Sequence, residues 1–332
     1  MTSIRKMMGR QWLPFLILTL LLGLSVLAIG CGDDENTTDT TEATDSTEAS
    51  DAGATETTEA DTQAAAGEGG SVHIGLIPWD EDIAATYLWK NILENEGYTV
   101  EITQLDVAPV YSGLARGDMD LFLDAWLPAT HGDYWAEYGD QLEDLKVWYD
   151  NGLLTLAVPE YVDVQTIADL QGQADTFGGR IIGIEPGSGL MRVTRDEAMP
   201  GYGLDEEYTL VEGSTPAMLA ELERATNNEE PIVVTLWHPH WAYAAYPIRD
   251  LEDPEGLMGD AEEMHAVARQ GFSEDFPQVA EWLGNFEMND DQLGTLEDLI
   301  INQYDQGQEE QAVEEWLSDS ANQDLVNGWL GK

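Results

Sequence analysis

Short apolar runs alternate with mixed polar and apolar stretches from about residue 71 onward. The runs predict strands, and the mixed stretches, several of which start after Ser, Asp or Pro and stop at Gly, predict helices. This alternation predicts an α/β fold with mostly parallel sheets. The predicted strands are 72–77, 98–105, 119–125, 153–158, 181–184, 208–211 and 232–236, and the predicted helices are 83–96, 109–116, 130–138, a helix from 190, 214–226, 276–282, 290–306 and a last one reaching 329.

Three tryptophans stand where predicted strands end. Trp79 follows the first strand, Trp126 follows the third, and Trp237 closes the apolar run 232–236. A glycine turn at Gly187 and Ser188 also follows a predicted strand. Because α/β sheets bind ligands at the carboxyl ends of their strands, beside helix N-termini, we expect these positions to converge on one pocket. The alternative is that all three tryptophans are core aromatics.

The first 31 residues have the pattern of a targeting segment. Basic residues precede an apolar stretch from 13 to 29, which ends in LAIGC at Cys31. This ending resembles a lipobox, the signal for lipid attachment to the cysteine and cleavage before it. The alternative is an uncleaved membrane anchor with an incidental cysteine. Cys31 is the only cysteine, so no disulfide forms within the chain. Both readings place the remaining chain outside the cytoplasm, at a membrane face.

Residues 32–70 predict a disordered acidic tether. Thr, Ala, Asp, Glu, Ser and Gly dominate, with no aromatic residue and no Lys or Arg. Such a segment buries too little apolar surface to offset the entropy lost on ordering, and its like charges extend it.

The charge of the chain is extreme. It carries 65 acidic and 13 basic residues, with four lysines, for a formal net charge of −52 at pH 7. Self-repulsion of this size strains a compact domain at low ionic strength, and molar salt screens it. We therefore infer a halophile's protein. The alternative, an acidic surface that binds cationic polymers, fits less well because the acidic excess runs along the whole chain. Nucleic acid is excluded as a partner because there is no basic patch.

Four motifs follow one another in the order of a known family. They are 79–84 (WDEDIA), 117–120 with 124–131 (GDMD and DAWLPATH), 183–189 (GIEPGSG) and 235–241 (TLWHPHW). Together they resemble the glycine betaine and choline binding proteins of osmoprotectant ABC transporters. The resemblance implies a type II periplasmic-binding-protein fold, with lobe one at 71–157 plus 244–332, lobe two at 158–243, and the ligand in the cleft between them. It also implies an ABC permease and its ATPase as partners, a lipid anchor in the membrane, and no cofactor.

The resemblance places a quaternary ammonium ligand among Trp79, Trp126 and Trp237. Such a cation donates no conventional hydrogen bond, and aromatic faces attract it by roughly 0.5–2 kcal/mol per ring. A betaine also carries a carboxylate, which backbone N–H groups at a helix N-terminus can bind. The candidates are the turn Glu81, Asp82 and Ile83, favoured by the resemblance, and the turn Gly187 and Ser188, with His240 as a side-chain donor and His238 as its rival.

One position departs from the choline-specific relatives. Those relatives place a tyrosine before the run that matches 155–159, and here Leu154 stands there. The departure favours glycine betaine or proline betaine over choline.

Two other classes of function fit the sequence less well. An exported enzyme would use His238 and His240 with acids such as Asp124, Glu185 or Glu212, but His-Pro-His lacks a metal-site spacing and no nucleophile elbow or phosphate loop occurs. We therefore predict that the chain is no enzyme and holds no metal. An amino-acid-binding protein of the same fold would need an arginine or aspartate clamp, and no arginine lies in these motifs.

The charge makes a direct prediction about salt. The melting temperature of the purified protein should rise strongly between about 0.1 M and multimolar NaCl, because screening weakens the repulsion among carboxylates. Thermal unfolding followed by circular dichroism measures this change. A melting temperature that does not respond to salt would contradict the adaptation to high salt.

Overall fold

Nine strands make up one continuous mixed sheet in the part of the chain that the structure describes, residues 69–332 of a computed structural model. The predictions for 1–31, including lipidation of Cys31, and for nearly all of the tether 32–70 lie outside the described residues. The strands are β1 Ser71–Leu76, β2 Thr99–Gln104, β3 Leu121–Leu127, β4 Leu142–Pro159, β5 Arg180–Ile182, β6 Thr209–Val211, β7 Val234–His238, β8 Ile248–Asp250 and β9 Glu262–Arg269.

The strand order divides the sheet into two groups that share β4. The order is β2-β1-β3-β9-β4-β7-β5-β6, with β8 beside β4. The first part of β4 pairs with β9, and its last residues pair with β7 and β8. We call β2, β1, β3, β9 and the first part of β4, with the helices that follow β1, β2 and β3, lobe one. Lobe two is the last part of β4 with β7, β5, β6 and β8, and the helices after β5 and β6. The lobe boundaries predicted from the sequence stay a prediction.

The expectation of mostly parallel sheets is wrong. The pairs β1–β2, β1–β3, β5–β6 and β5–β7 are parallel, whereas β3–β9, β4–β7, β4–β8 and β4–β9 are antiparallel. The antiparallel pairs all involve β4 or β9. Because β4 runs through both lobes and β9 lies beside it, these two strands make the middle of the sheet antiparallel.

Thirteen α-helical segments are present among residues 69–332, and the longest ones match the predicted helices. They are α1 Asp80–Asn95, α2 Val107–Arg116, α3 Gly132–Tyr138, α4 Ala174–Phe177, α5 Gly189–Val193, α6 Met199–Gly201, α7 Thr215–Asn228, α8 Ala242–Ala245, α9 Phe272–Asp275, α10 Pro277–Leu283, α11 Asp290–Glu297, α12 Glu309–Trp316 and α13 Ser320–Leu330. A π-helical segment, Thr194–Ala198, joins α5 to α6, and another, Asp298–Gln303, extends α11. Short 3₁₀ segments span Gly139–Gln141 and Ile167–Leu170.

The position of α1 follows from its sequence. Its buried apolar residues recur at helical spacing, with Ala84, Leu88 and Ile92 in one row. The helix begins directly after Trp79 and ends before Gly97, whose φ of 90° a glycine adopts without strain. The first turn of α1 therefore lies at the carboxyl end of β1, beside the neighbouring strand ends.

Most tryptophans outside the predicted pocket pack in the core, as expected. Trp89 and Trp148 are fully buried, and each ring packs against Phe286, edge-on for Trp89 and stacked for Trp148. Trp282, Trp316 and Trp329 are also buried, and Trp135 is half-buried. Within residues 69–332, no helix has the length and apolar character needed to cross a membrane.

Candidate functional site

A small cavity lies where the ends of β3 and β7 meet the first turn of α1. Trp79, Trp126 and Trp237, which we call the tryptophan triad, all line it, and they are 5%, 3% and 3% exposed. Together with its opening to solvent, the cavity has about 280 Å³ of empty space. The other lining residues are Glu81, Thr130, Leu154, Ile184, Ser188, Gly189 and Leu190. The structure thus brings the three predicted tryptophans together around one space.

Each indole N–H of the triad donates to a carboxylate. Trp126 Nε1 donates to Asp124 Oδ1 at 2.9 Å within lobe one. Trp79 of lobe one donates to Glu185 of lobe two at 3.4 Å, and Trp237 of lobe two donates to Glu81 of lobe one at 2.9 Å. The last two bonds are reciprocal, because each lobe anchors a ring of the other. They fix the orientation of the two rings and connect the two lobes.

His131 supports two members of the triad from behind. Its ring stacks on Trp79 with centroids 5.5 Å apart, and its Nδ1 accepts the backbone N–H of Trp126 at 3.0 Å. Burial lowers the pKa of His131 to about 3, so the ring is neutral and can accept this hydrogen bond. Sequence reasoning gave His131 no role, although it lies in the motif 124–131.

A glycine on β4 completes the fit around Trp126. A Cβ added at Gly152 would lie 2.6 Å from the Trp126 ring. Only glycine lets the backbone of β4 approach the ring this closely.

Glu262 on β9 fixes the loop that follows Trp126. It accepts the backbone N–H of Thr130 at 2.9 Å, and it also accepts from the N–H of Ala129 and the hydroxyl of Thr130. Thr130 lines the cavity, so Glu262 positions one edge of the site from 132 residues away in the chain. The residue was missed because β9 was missed.

The first turn of α1 holds three buried carboxyl groups. Asp82 accepts from the N–H of Ile77 at 2.7 Å and from the hydroxyl of Thr86 at 3.1 Å. Burial is the main cause that raises the pKa of Asp80 to about 7 and those of Glu81 and Asp82 to about 8. Of the three, only Glu81 lines the cavity, and its carboxyl group accepts the indole N–H of Trp237.

The predicted anion site at this turn is therefore only partly open. The N–H of Ile83 donates to the carbonyl of Trp79 at 2.9 Å, which is the first hydrogen bond of the helix. The carboxylate of Glu81 bonds its own backbone N–H. Asp82 and Ile83 lie outside the lining, and the binding of a ligand carboxylate at this turn stays a prediction.

Of the second predicted turn, Gly187 and Ser188, only one residue lines the cavity. Ser188 lines the cavity, and its hydroxyl accepts the N–H of Met191 at 3.3 Å, so it caps α5. Gly187 lies outside the lining, and its carbonyl accepts the hydroxyl of Tyr134 at 3.1 Å, across the two lobes.

The two histidines after β7 differ in their surroundings. His240 is buried against Trp237, with ring centroids 4.7 Å apart, and its Nε2 lies 3.3 Å from Asp80 Oδ2. His238 instead bonds Asp250 at 2.7 Å and stacks on Tyr243. Neither lines the cavity. Burial lowers the pKa of His240 to about 3, so it is neutral. Its role as a donor to a ligand stays a prediction.

Trp241 lies outside the triad. Its Nε1 donates to Asp80, and its backbone N–H donates to Glu297 at 3.1 Å. It is buried and does not line the cavity. Across residues 69–332, no group of three or more His, Cys, Asp or Glu side chains is arranged to hold a metal ion.

Comparison with known proteins places this geometry in context. The glycine betaine/carnitine transport binding protein GbuC of Listeria monocytogenes is 35% identical over 153 residues, which are 45% of this chain and 48% of GbuC. This match therefore spans about half the length of that relative.

Two solved structures are similar over most of their length. The glycine/betaine/L-proline-binding protein ProX of Borrelia burgdorferi is 34% identical with a TM-score of 0.73, covering 78% of this chain and 96% of that one. Lactococcal OpuAC, in its closed-liganded conformation with glycine betaine, is 28% identical with a TM-score of 0.73, covering 79% and 99%. These matches confirm the periplasmic-binding-protein fold.

The family assignment rests on a match to a family model over most of the chain. Residues 70–319 match the OpuAC family, described as the substrate binding domain of the ABC-type glycine betaine transport system. This range contains both lobes, the cavity and every residue of the triad. The chain belongs to the OpuAC family.

Proposed function

We propose that this protein is the extracytoplasmic substrate-binding component of an ABC transporter and captures a quaternary ammonium osmoprotectant. The observation that carries the proposal is the tryptophan triad around one small cavity. Three indole faces around one methylated ammonium each contribute roughly 0.5–2 kcal/mol of cation–π attraction. Family membership and the ligands named for GbuC, ProX and lactococcal OpuAC support the same class of ligand.

Within this class we propose glycine betaine or proline betaine as the ligand. Leu154 lines the cavity at the position where choline-specific relatives carry a tyrosine. The carboxylate of the betaine lies toward the first turn of α1 or toward Ser188, with His240 as the side-chain donor. Choline is the second candidate of the same class.

The proposed cycle follows from the contacts between the lobes. Ligand enters an open cleft and touches Trp79 and Trp126 of lobe one and Trp237 of lobe two. Because it contacts both lobes, it favours closure, and the closed form delivers it to the permease, which the ATPase drives. Lipid attachment at Cys31 and the tether 32–70 keep the protein at the extracytoplasmic face of the cell membrane.

The triad predicts the ligand response. Tryptophan fluorescence in molar salt should change on titration with glycine betaine and proline betaine, and more weakly with choline, carnitine or proline. Trp237→Ala should raise the Kd for glycine betaine at least about tenfold, because it removes one ring face and the anchor to Glu81. The matched control is Trp135→Ala, a half-buried tryptophan outside the cavity, which should leave the Kd within about twofold. No response to any quaternary ammonium overturns the proposed function.

The proposed closure of the cleft predicts the effect of a second substitution, at Gly189. A Cβ at Gly189 on α5 would lie 2.2 Å from the backbone oxygen of Thr130, on the other lobe. Gly189→Ala should therefore block closure and weaken glycine betaine binding at least about tenfold, since a contact under 3 Å to backbone cannot relax by side-chain movement. Small-angle scattering should show that ligand no longer compacts the variant.

The control for closure is Gly132→Ala, where the new Cβ meets nothing within 4 Å. It should bind and compact like the parent protein. Normal affinity and compaction in Gly189→Ala would show that the cleft closes in another way.

The anchor makes a separate prediction. Cys31→Ser should move the protein from the membrane fraction to the soluble fraction if the variant is still processed, because the lipid is lost. Immunoblotting of fractionated cells measures the distribution. Retention of the variant in the membrane would favour an uncleaved anchor.

A further inference from the structure

The cavity contains a carboxylic acid as well as aromatic rings. Glu81 lines the cavity together with the triad and is 2% exposed. Its Oε2 accepts the indole N–H of Trp237 at 2.9 Å, so the carboxyl group is held against one wall. Because Trp237 also lines the cavity, this hydrogen bond keeps the carboxyl group of Glu81 next to the proposed ligand space.

The surroundings of Glu81 are acidic on every side. Asp80 and Asp82 flank it on α1, and Asp124 of β3 and Glu297 of α11 interact with it electrostatically. Asp124 Oδ2 and Glu297 Oε1 are buried and have no hydrogen-bond partner in the described part of the chain. Within residues 69–332, the ion pairs of Lys and Arg side chains all involve acidic residues outside this group of five.

A positive charge is therefore scarce around Glu81. The two buried histidines of this region, His131 and His240, are both neutral, and His240 lies beside Asp80. Burial, with a smaller contribution from Asp80, raises the pKa of Glu81 to about 8. The side chain thus exchanges its proton near neutral pH, and the charge of the ligand decides which form is favoured.

We propose that Glu81 selects ligands by charge: its ionised form favours a quaternary ammonium without a carboxylate, and its protonated form favours a zwitterionic betaine. This inference rests on the proposed function. In the ionised form, Glu81 attracts the ammonium but repels a ligand carboxylate in the same cavity. In the protonated form, it donates a hydrogen bond to that carboxylate and offers a pure cation no charge.

The sign of the pH dependence follows from linkage. A bound cation such as choline holds the pKa of Glu81 below its value in the closed cleft, and a bound betaine holds it above that value. The betaine complex therefore carries more protons than the choline complex across pH values around 8. The affinity ratio of glycine betaine to choline must fall as pH rises through this window. This ratio does not depend on the protonation of the empty protein.

The test compares two ligands that share the trimethylammonium group. Calorimetry in molar salt measures the Kd of glycine betaine and of choline from pH 6 to 9.5 for the parent protein, Glu81→Gln and the control Glu101→Gln. Glu101 is exposed on β2, so its variant removes one charge far from the cavity. The ratio should fall at least about tenfold for the parent and the control, since one proton can change it up to tenfold per pH unit.

In Glu81→Gln the ratio should be independent of pH and close to the low-pH value of the parent, because the amide cannot ionise. If Glu81→Gln does not fold, the difference in proton uptake between the two ligands, measured with the parent protein, still tests the role of Glu81. The parent should take up more protons with glycine betaine than with choline at pH 8, measured in buffers of different ionisation enthalpy.

The outcomes separate the two proposals. If both ligands bind and the ratio is flat in the parent, or still falls in Glu81→Gln, the role of Glu81 is overturned and the proposed function stands. If no quaternary ammonium binds at any pH, the proposed function fails, and the role of Glu81 fails with it.

Discussion

Two reciprocal hydrogen bonds between an indole and a carboxylate hold the site together. Trp79 of lobe one donates to Glu185, and Trp237 of lobe two donates to Glu81. Such a hydrogen bond contributes about 0.5–1.5 kcal/mol net, and a buried donor or acceptor left without its partner costs about 1–3 kcal/mol. The rings keep their orientation only while the lobes are together. The orientation of Trp79 and Trp237 therefore depends on the contact between the two lobes.

The same arrangement concentrates buried carboxyl groups beside the cavity. A positive ligand offsets part of the cost of burying carboxyl groups, and it gains cation–π attraction from rings whose N–H groups face acids. An acidic protein surface and an acidic site have separate physical causes here. The surface charge responds to bulk salt, whereas the buried groups near the cavity are screened much less.

The sequence predicted the fold class and the convergence of the triad because both follow from simple patterns. Strand ends in an α/β fold share one edge of the sheet, so Trp79, Trp126 and Trp237 could be placed together before any contact was known. The missing strand β9 has a different cause. Its sequence EEMHAVAR contains charged residues and alanines, which are uncommon in strands, and tertiary pairing between β3 and β4 overrides that preference. The start of β4 was missed because Asn151 and Gly152 read as a turn, and the strand accommodates them with register shifts.

The supporting residues could not be predicted for the same reason. Glu262 lies on β9, which was not predicted, and bonds Thr130 from there. His131 stacks on Trp79 and accepts the backbone N–H of Trp126, and residue spacing predicts neither contact. The sequence pointed to the backbone of the first turn of α1, whereas in the structure the side chain of Glu81 bonds Trp237 beside the cavity. Which group of a residue faces a site depends on packing in three dimensions.

In the proposed complex, the triad surrounds the ammonium of the ligand. A crystal structure of residues 69–332 with glycine betaine tests this arrangement. The trimethylammonium group should lie within about 6 Å of the ring centroids of Trp79, Trp126 and Trp237. Glycine betaine bound elsewhere, or with its ammonium turned away from these three rings, would contradict it.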